Sequence, residues 1–100
     1  MRVISIRLLK DFWEKHADSR GPLKAWYKTA KKAQWKSLHD ARMPYVTADG
    51  VLNRLGETLT IFNIGGNKYR LVTRMRNDWK LINIRFVLTH REYDQGKWKE

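Results

Sequence analysis

Lys68-Tyr69-Arg70-Leu71-Val72-Thr73-Arg74-Met75-Arg76, then Asn77-Asp78, then Trp79-Lys80-Leu81-Ile82-Asn83-Ile84-Arg85-Phe86-Val87-Leu88-Thr89 is the stretch that decides the fold. Two alternating, β-prone runs flank a pair of residues that tolerate positive φ, which is the pattern of a hairpin. A two-residue turn at Asn77-Asp78 pairs Arg76 with Trp79. Counting back then sets Arg74 opposite Leu81, Val72 opposite Asn83, Arg70 opposite Arg85 and Lys68 opposite Val87. One face carries Tyr69, Leu71, Thr73 and Met75 with Ile82, Ile84, Phe86 and Leu88, and reads as core. The other carries Lys68, Arg70, Arg74, Arg76 and Arg85 and reads as exposed. A slip of one residue would exchange the faces and bury the arginines, so the hydrophobic pattern favours this register.

Working outward, Gly65-Gly66 separates this hairpin from a strand at Leu59–Ile64, and a two-residue turn there brings Asn63 opposite Lys68. Gly56-Glu57 in turn separates Leu59–Ile64 from a strand at Val51–Leu55. Before Pro44 the period is helical. Leu9, Phe12, Trp13 and His16 share one face of a helix that Ser5 can cap, and Leu23, Trp26, Tyr27 and Ala30 share one face of a second. Asp18-Ser19-Arg20-Gly21-Pro22 divides the two helices, and Val3-Ile4 reads as a short opening strand. The expected architecture is α+β: an N-terminal short strand and two helices packed on one face of an antiparallel β-meander.

A length of 100 residues with 42% hydrophobic residues and five Trp suits one domain with a real core, spanning 1–100. The absence of Cys excludes disulfides, thiolate metal sites and a Cys nucleophile. Lys and Arg number 21 against 10 acids, a formal net charge of +11. Such a charge repels itself in a compact chain and points to an anionic partner: nucleic acid, a membrane surface or an acidic protein. Part of it lies in a stripe, Arg20, Lys24, Lys28, Lys32 and Lys36, within a segment from Ser19 to Leu38 that has no acid. The stripe is either a solvated helix face or a docking surface for a nucleic-acid backbone. Met1–Ser5 leads straight into charged sequence with no apolar run of signal-peptide type. No stretch reaches the roughly 18 apolar residues that span a bilayer. A cytoplasmic protein with no membrane partner is expected.

Arg70 and Arg85 placed directly opposite repel each other unless an anion lies between them. Phosphate is the natural anion, because guanidinium groups bind its oxygens through paired hydrogen bonds; the bland alternative is a solvated face with splayed side chains. His90 closes the last strand and is followed by Tyr93 and Asp94. A histidine there can move protons near neutral pH. His16 reads as structural and His39 has no evident partner; no metal-ligand spacing is present.

Asn63-Ile64-Gly65-Gly66-Asn67-Lys68-Tyr69-Arg70-Leu71, Ile84-Arg85-Phe86 and Thr89-His90-Arg91-Glu92-Tyr93-Asp94 resemble the HigB family of toxins, within the RelE-like mRNA interferase superfamily. Met1–Ser5, Phe12-Trp13, Pro22-Leu23 and Ala25-Trp26-Tyr27 resemble it as well. The resemblance implies a microbial-RNase-like fold and metal-free, cofactor-free cleavage of mRNA on the ribosome. It also implies neutralisation by a helix-turn-helix antitoxin, with operator DNA bound only through the toxin–antitoxin complex. On that footing Lys68, Arg70 and Arg85 would supply positive charge, and His90 and Tyr93 would transfer protons. Lys68 is an alternative base if its pKa is lowered, and Asp94 would orient His90 or Tyr93. Asn63, Arg74, Arg76, Lys24, Lys28 and Lys32 would bind RNA. The alternative is a non-catalytic basic module that only binds nucleic acid.

Overall fold

A computed structural model describes every residue except Asn77 and Trp79. The elements run β1 (Arg2–Ile4), α1 (Arg7–Lys15), α2 (Arg20–Lys32), α3 (Leu38–Arg42), β2 (Asp49–Leu52), β3 (Thr58–Ile64), β4 (Tyr69–Arg76), β5 (Leu81–Thr89) and α4 (His90–Gln95). They form a five-stranded mixed sheet in the order β1-β5-β4-β3-β2, with β1 parallel to β5 and the other pairs antiparallel. This is the α+β, RelE-like arrangement expected.

The helical spacings bury the faces they predict. Leu9 of α1 and Leu23, Trp26 and Ala30 of α2 pack with Phe62, Ile64, Leu71, Ile82 and Ile84 on one side of the sheet. Trp26 meets Phe62 edge-to-face at 5.4 Å, and its buried indole N–H reaches no acceptor among the described residues. The expected Ser5 cap does not form. Ser5 has φ 67 and turns the chain out of β1, and Ile6 occupies the cap position without a side-chain bond.

The turns differ from the expected two-residue hairpins, and each difference moves the register. Asn53 ends β2 early, because its Oδ1 accepts from the backbone N–H of Leu55 and of Glu57 and so closes a turn over residues expected to extend the strand. Gly65 and Gly66, both at positive φ, open a loop that runs to Lys68, so Ile64 pairs with Tyr69 and Asn63 faces Arg70 rather than Lys68. The expected Asn77-Asp78 turn and Arg76–Trp79 pair lie outside the described residues. Arg76 pairs with Leu81 and Arg74 with Asn83, so the expected Arg74–Leu81 and Val72–Asn83 pairs do not form.

Thr73 pairs with Ile84, but Val72 pairs with Phe86, which leaves Arg85 as an extra residue in β5. An extra residue in one strand reverses the sidedness of everything beyond it. Arg70 therefore faces Leu88, not Arg85. Val87 packs into the helix-side core, whereas Phe86 and Leu88, expected there, turn to the other face.

That other face is not open. Leu59, Ile61, Val72 and Trp98 form a second cluster, joined by Val51, Leu88 and Tyr93. The chain reaches it through α4. Thr89 accepts from the Glu92 N–H while the Glu92 carboxylate accepts from the Thr89 N–H, a reciprocal capping box that starts the helix. Gly96, at φ 75, ends it in the left-handed region and turns the chain back. Trp98 then stacks on Tyr93 at 4.9 Å, donates its indole N–H to the Tyr93 carbonyl at 2.8 Å and is 4% exposed. Trp98→Ala opens a cavity under α4 and is expected to cost about 3–5 kcal/mol, measured by chemical denaturation.

Candidate active site

The second sheet face holds the arginines, and it supplies an internal anion that the strand pattern alone did not reveal. Glu57 lies just before β3, on the same alternation as Leu59, Ile61 and Asn63. Its carboxylate accepts from Asn53 Nδ2 at 2.8 Å, from Arg85 Nη2 at 2.9 Å and from Arg74 Nη1. The Asn53 bond and then the Arg85 bond hold the Glu57 carboxyl below its ordinary value of 4.5. Arg74 and Arg85 thus converge on one ionised carboxylate, although they come from different strands. Arg85 is itself the extra residue of the bulge in β5. Both guanidinium groups stay partly accessible, at 35% and 30% of their side-chain surface. The two arginines leave the trio with net positive charge, suited to a phosphate.

Arg70 stands apart from that pair. It is 8% exposed, donates to the carbonyls of Asn67 and Tyr69 at 3.1 Å each and to Asn67 Oδ1 at 2.6 Å, and lies 5.2 Å from the centre of the Tyr93 ring. Its charge sits beneath α4 rather than in open solvent. Tyr93, stacked between Arg70 and Trp98, has its phenol pushed above the ordinary 10.0, chiefly by burial. The same short helix begins at His90, whose Nδ1 lies 2.9 Å from Asp94 Oδ2 across one helical turn.

Lys68 does not join the arginine face. The four-residue loop sends it to the junction of α1 and α2, where its ammonium donates to Asp18 Oδ2 at 2.9 Å. Tyr69 donates its hydroxyl to the other Asp18 oxygen at 2.5 Å. The hydrogen bond to Asp18 raises the Lys68 pKa, so the lowered value that would let Lys68 act as a base is not found. Its backbone remains beside the other candidates, because the His90 N–H donates to the Lys68 carbonyl at 3.0 Å. Arg76 is exposed at the far end of β4, and Asn63 is half-buried opposite Arg70.

Lys24, Lys28 and Lys32 lie elsewhere. With Lys10 and Lys31 they rim a groove of about 910 Å³ floored by Trp13 and Tyr27, on the helices that cover the opposite side of the sheet. No group of three or more His, Cys, Asp or Glu able to hold a metal ion occurs among the described residues. Nor is any described helix long and apolar enough to cross a membrane.

A family model described as "HigB_toxin, RelE-like toxic component of a toxin-antitoxin system" matches residues 19–96. The chain is 30% identical over 94 residues to the mRNA interferase toxin HigB of Escherichia coli (strain K12), covering 94% of this chain and 88% of that protein. The mRNA interferases HigB of Escherichia coli O157:H7 and Shigella flexneri match with the same identity and coverage.

The two acceptor carboxylates make a pH prediction. Asp18, lowered first by the Tyr69 bond and then by Lys68, and Glu57 both have folded values below their ordinary 3.8 and 4.5. Their contribution to stability is complete above those ordinary values and is lost as the pH falls through the lower folded ones. Asp18→Asn and Glu57→Gln should therefore each flatten the acid limb of the stability profile, measured by urea unfolding at stepped pH.

Proposed function

Because the chain belongs to the HigB toxins, RelE-like toxic components of toxin–antitoxin systems, we propose that it is an mRNA interferase, a cytoplasmic endoribonuclease that cuts mRNA during translation in the ribosomal A site. Its toxin family implies an antitoxin partner. We take that partner to be a helix-turn-helix protein, with operator DNA contacted only through the complex. The observation that carries the reading is the pairing of two kinds of chemistry: Arg74 and Arg85 converge as a ready anion site, and α4 presents a carboxylate-bound His90 together with Tyr93.

Cleavage without a cofactor uses the 2′-OH as nucleophile on the adjacent phosphorus. An O2′–P bond forms, the P–O5′ bond breaks, and the products are a cyclic phosphate and a 5′-hydroxyl. Asp94 accepting from His90 Nδ1–H leaves Nε2 to take the 2′-OH proton. Tyr93, a phenol that carries its proton at neutral pH, gives a proton to the 5′ oxygen. Arg85 and Arg74 stabilise the charge that builds on the phosphoryl oxygens, with Glu57 positioning both. Arg70 supports this through Tyr93 and adds a shielded positive charge; Asn63 opposite it and Arg76 extend the RNA-binding face. Lys68 contributes as a cation at the rim. The Lys24, Lys28 and Lys32 groove lies on the far side and serves ribosomal RNA.

Expression without antitoxin is expected to arrest growth, with primer extension mapping cuts on a translated mRNA and none on an untranslated copy. His90→Ala should slow cleavage by about 10²–10⁴-fold and Arg85→Ala by about 10²–10³-fold, with the fold intact by circular dichroism. A merely nucleic-acid-binding module would instead leave the His90→Ala protein as toxic as the parent. Reversing Lys24, Lys28 and Lys32 to Glu should weaken co-sedimentation with ribosomes and reduce its salt dependence.

A further inference from the structure

Phe86 has no part in the chemistry just assigned, yet the bulge turns it onto the arginine face. It is 41% exposed and belongs to neither core cluster. On the ladder it sits opposite Val72, between the Arg70–Leu88 pair and the Arg74–Asn83 pair. The residue before it is Arg85, bound to Glu57 at 2.9 Å. Its side chain lines two depressions. One, of about 320 Å³, lies toward α1 and includes Leu8, Phe12, Lys15 and His16. The other, of about 190 Å³, lies toward α4 and is bounded by Leu88, Gln95, Lys97 and Trp98.

We propose that Phe86 is a base-stacking residue, on which one unpaired nucleobase of the RNA substrate lies while its backbone phosphate meets Arg85 and Arg74. The proposal rests on the endonuclease reading and deepens it. Single-stranded RNA alternates planar bases with anionic phosphates, and proteins hold it with aromatic rings set beside cations. Here an exposed ring and a guanidinium are consecutive residues of one strand, and the bulge keeps both on the same face. The slot beside α4 is smaller than the roughly 300–1,000 Å³ of a drug-sized site, which suits a single ring system. Its lining includes the apolar Leu88 and Trp98, and Gln95 and Lys97, whose side chains are of types that hydrogen-bond a base edge. Glu92 also lines the slot, but its carboxylate accepts from the Thr89 N–H at 2.9 Å. Stacking of this kind uses the ring's face, so it tolerates different bases.

The test is single-turnover cleavage of a programmed mRNA on purified ribosomes, with the cut sites mapped by primer extension. Phe86→Ala and Phe86→Leu should each lower kcat/KM by about 5- to 150-fold, the range expected for loss of one base–aromatic stack. Phe86→Trp and Phe86→Tyr should retain parental rates. Because the residue is exposed and outside both cores, thermal midpoints should stay near that of the parent, and they are measured alongside. If Phe86→Leu cuts like the parent, only apolar bulk is needed and the stacking proposal fails. If Phe86→Ala cuts like the parent but escapes inhibition by the antitoxin, the slot holds a protein side chain and the proposal fails in favour of that occupant. In both cases the parent still cuts, so the endonuclease reading survives; a parent that does not cut at all would sink both.

Discussion

The extra residue in β5 sets what each face of the sheet can hold. A strand's side chains alternate, so Ile82 and Ile84 can face the helices only if everything beyond them keeps even numbering, or if one residue is skipped. Arg85 is the residue skipped. Beyond it Val87 fills the helix-side core, Leu88 moves under Trp98 and Phe86 comes to the surface. Arg85 swings into reach of Glu57, where Arg74 already points. A bulge costs little more than a ladder hydrogen bond, about 0.5–1.5 kcal/mol. In return it sets Phe86 opposite Val72, where unbroken pairing from Thr73–Ile84 would have set Arg85.

The formal charge of +11 is also more divided than its size implies. Glu57 joins two of the arginines, Asp18 takes Lys68 and Tyr69, and Arg70 is held by backbone carbonyls beneath an aromatic ring. These acceptors fix where the positive charges stand before any anion arrives. Side chains held in place lose less freedom on binding than splayed ones, which favours electrostatic stabilisation of a transition state over loose attraction. The lysines of α2 are the contrast: they rim an open groove and keep their solvent.

Much of this was legible in the chain. Helical spacing identified the buried faces of α1 and α2, and alternation in β4 correctly separated Tyr69, Leu71 and Thr73 from Arg70 and Arg74. Register was not legible, because it depends on turn length: Gly65-Gly66 suits a two-residue turn as well as it suits the four-residue loop that forms. The bulge left no mark either, since Phe86-Val87-Leu88 is apolar at every position and fits both sidednesses. Two signals were present in the sequence. Thr89-His90-Arg91-Glu92 has the spacing of a capping box and foretells α4, and alternation carried back from Leu59 puts Glu57 on the arginine face. The reach of Lys68 to Asp18 needs the third dimension, because it joins residues far apart in the chain.

The parallel pairing of β1 with β5 sets Arg2 opposite Leu81 and so ties nearly the whole chain into one loop. Closing a loop of that length carries an entropic penalty before any contact offsets it, and sheets built on such distant pairs fold slowly. The hairpins from β2 to β5 and the two helices join neighbours and can form early, whereas β1 can dock only after β5 exists. The edge it covers is short, Leu81 to Asn83, so β1 is the last strand to gain its partner, and it pairs with only the first residues of β5. In kinetic terms, the face that gathers the arginines is built on the β4–β5 hairpin and can be in place before the sheet's outer strand docks.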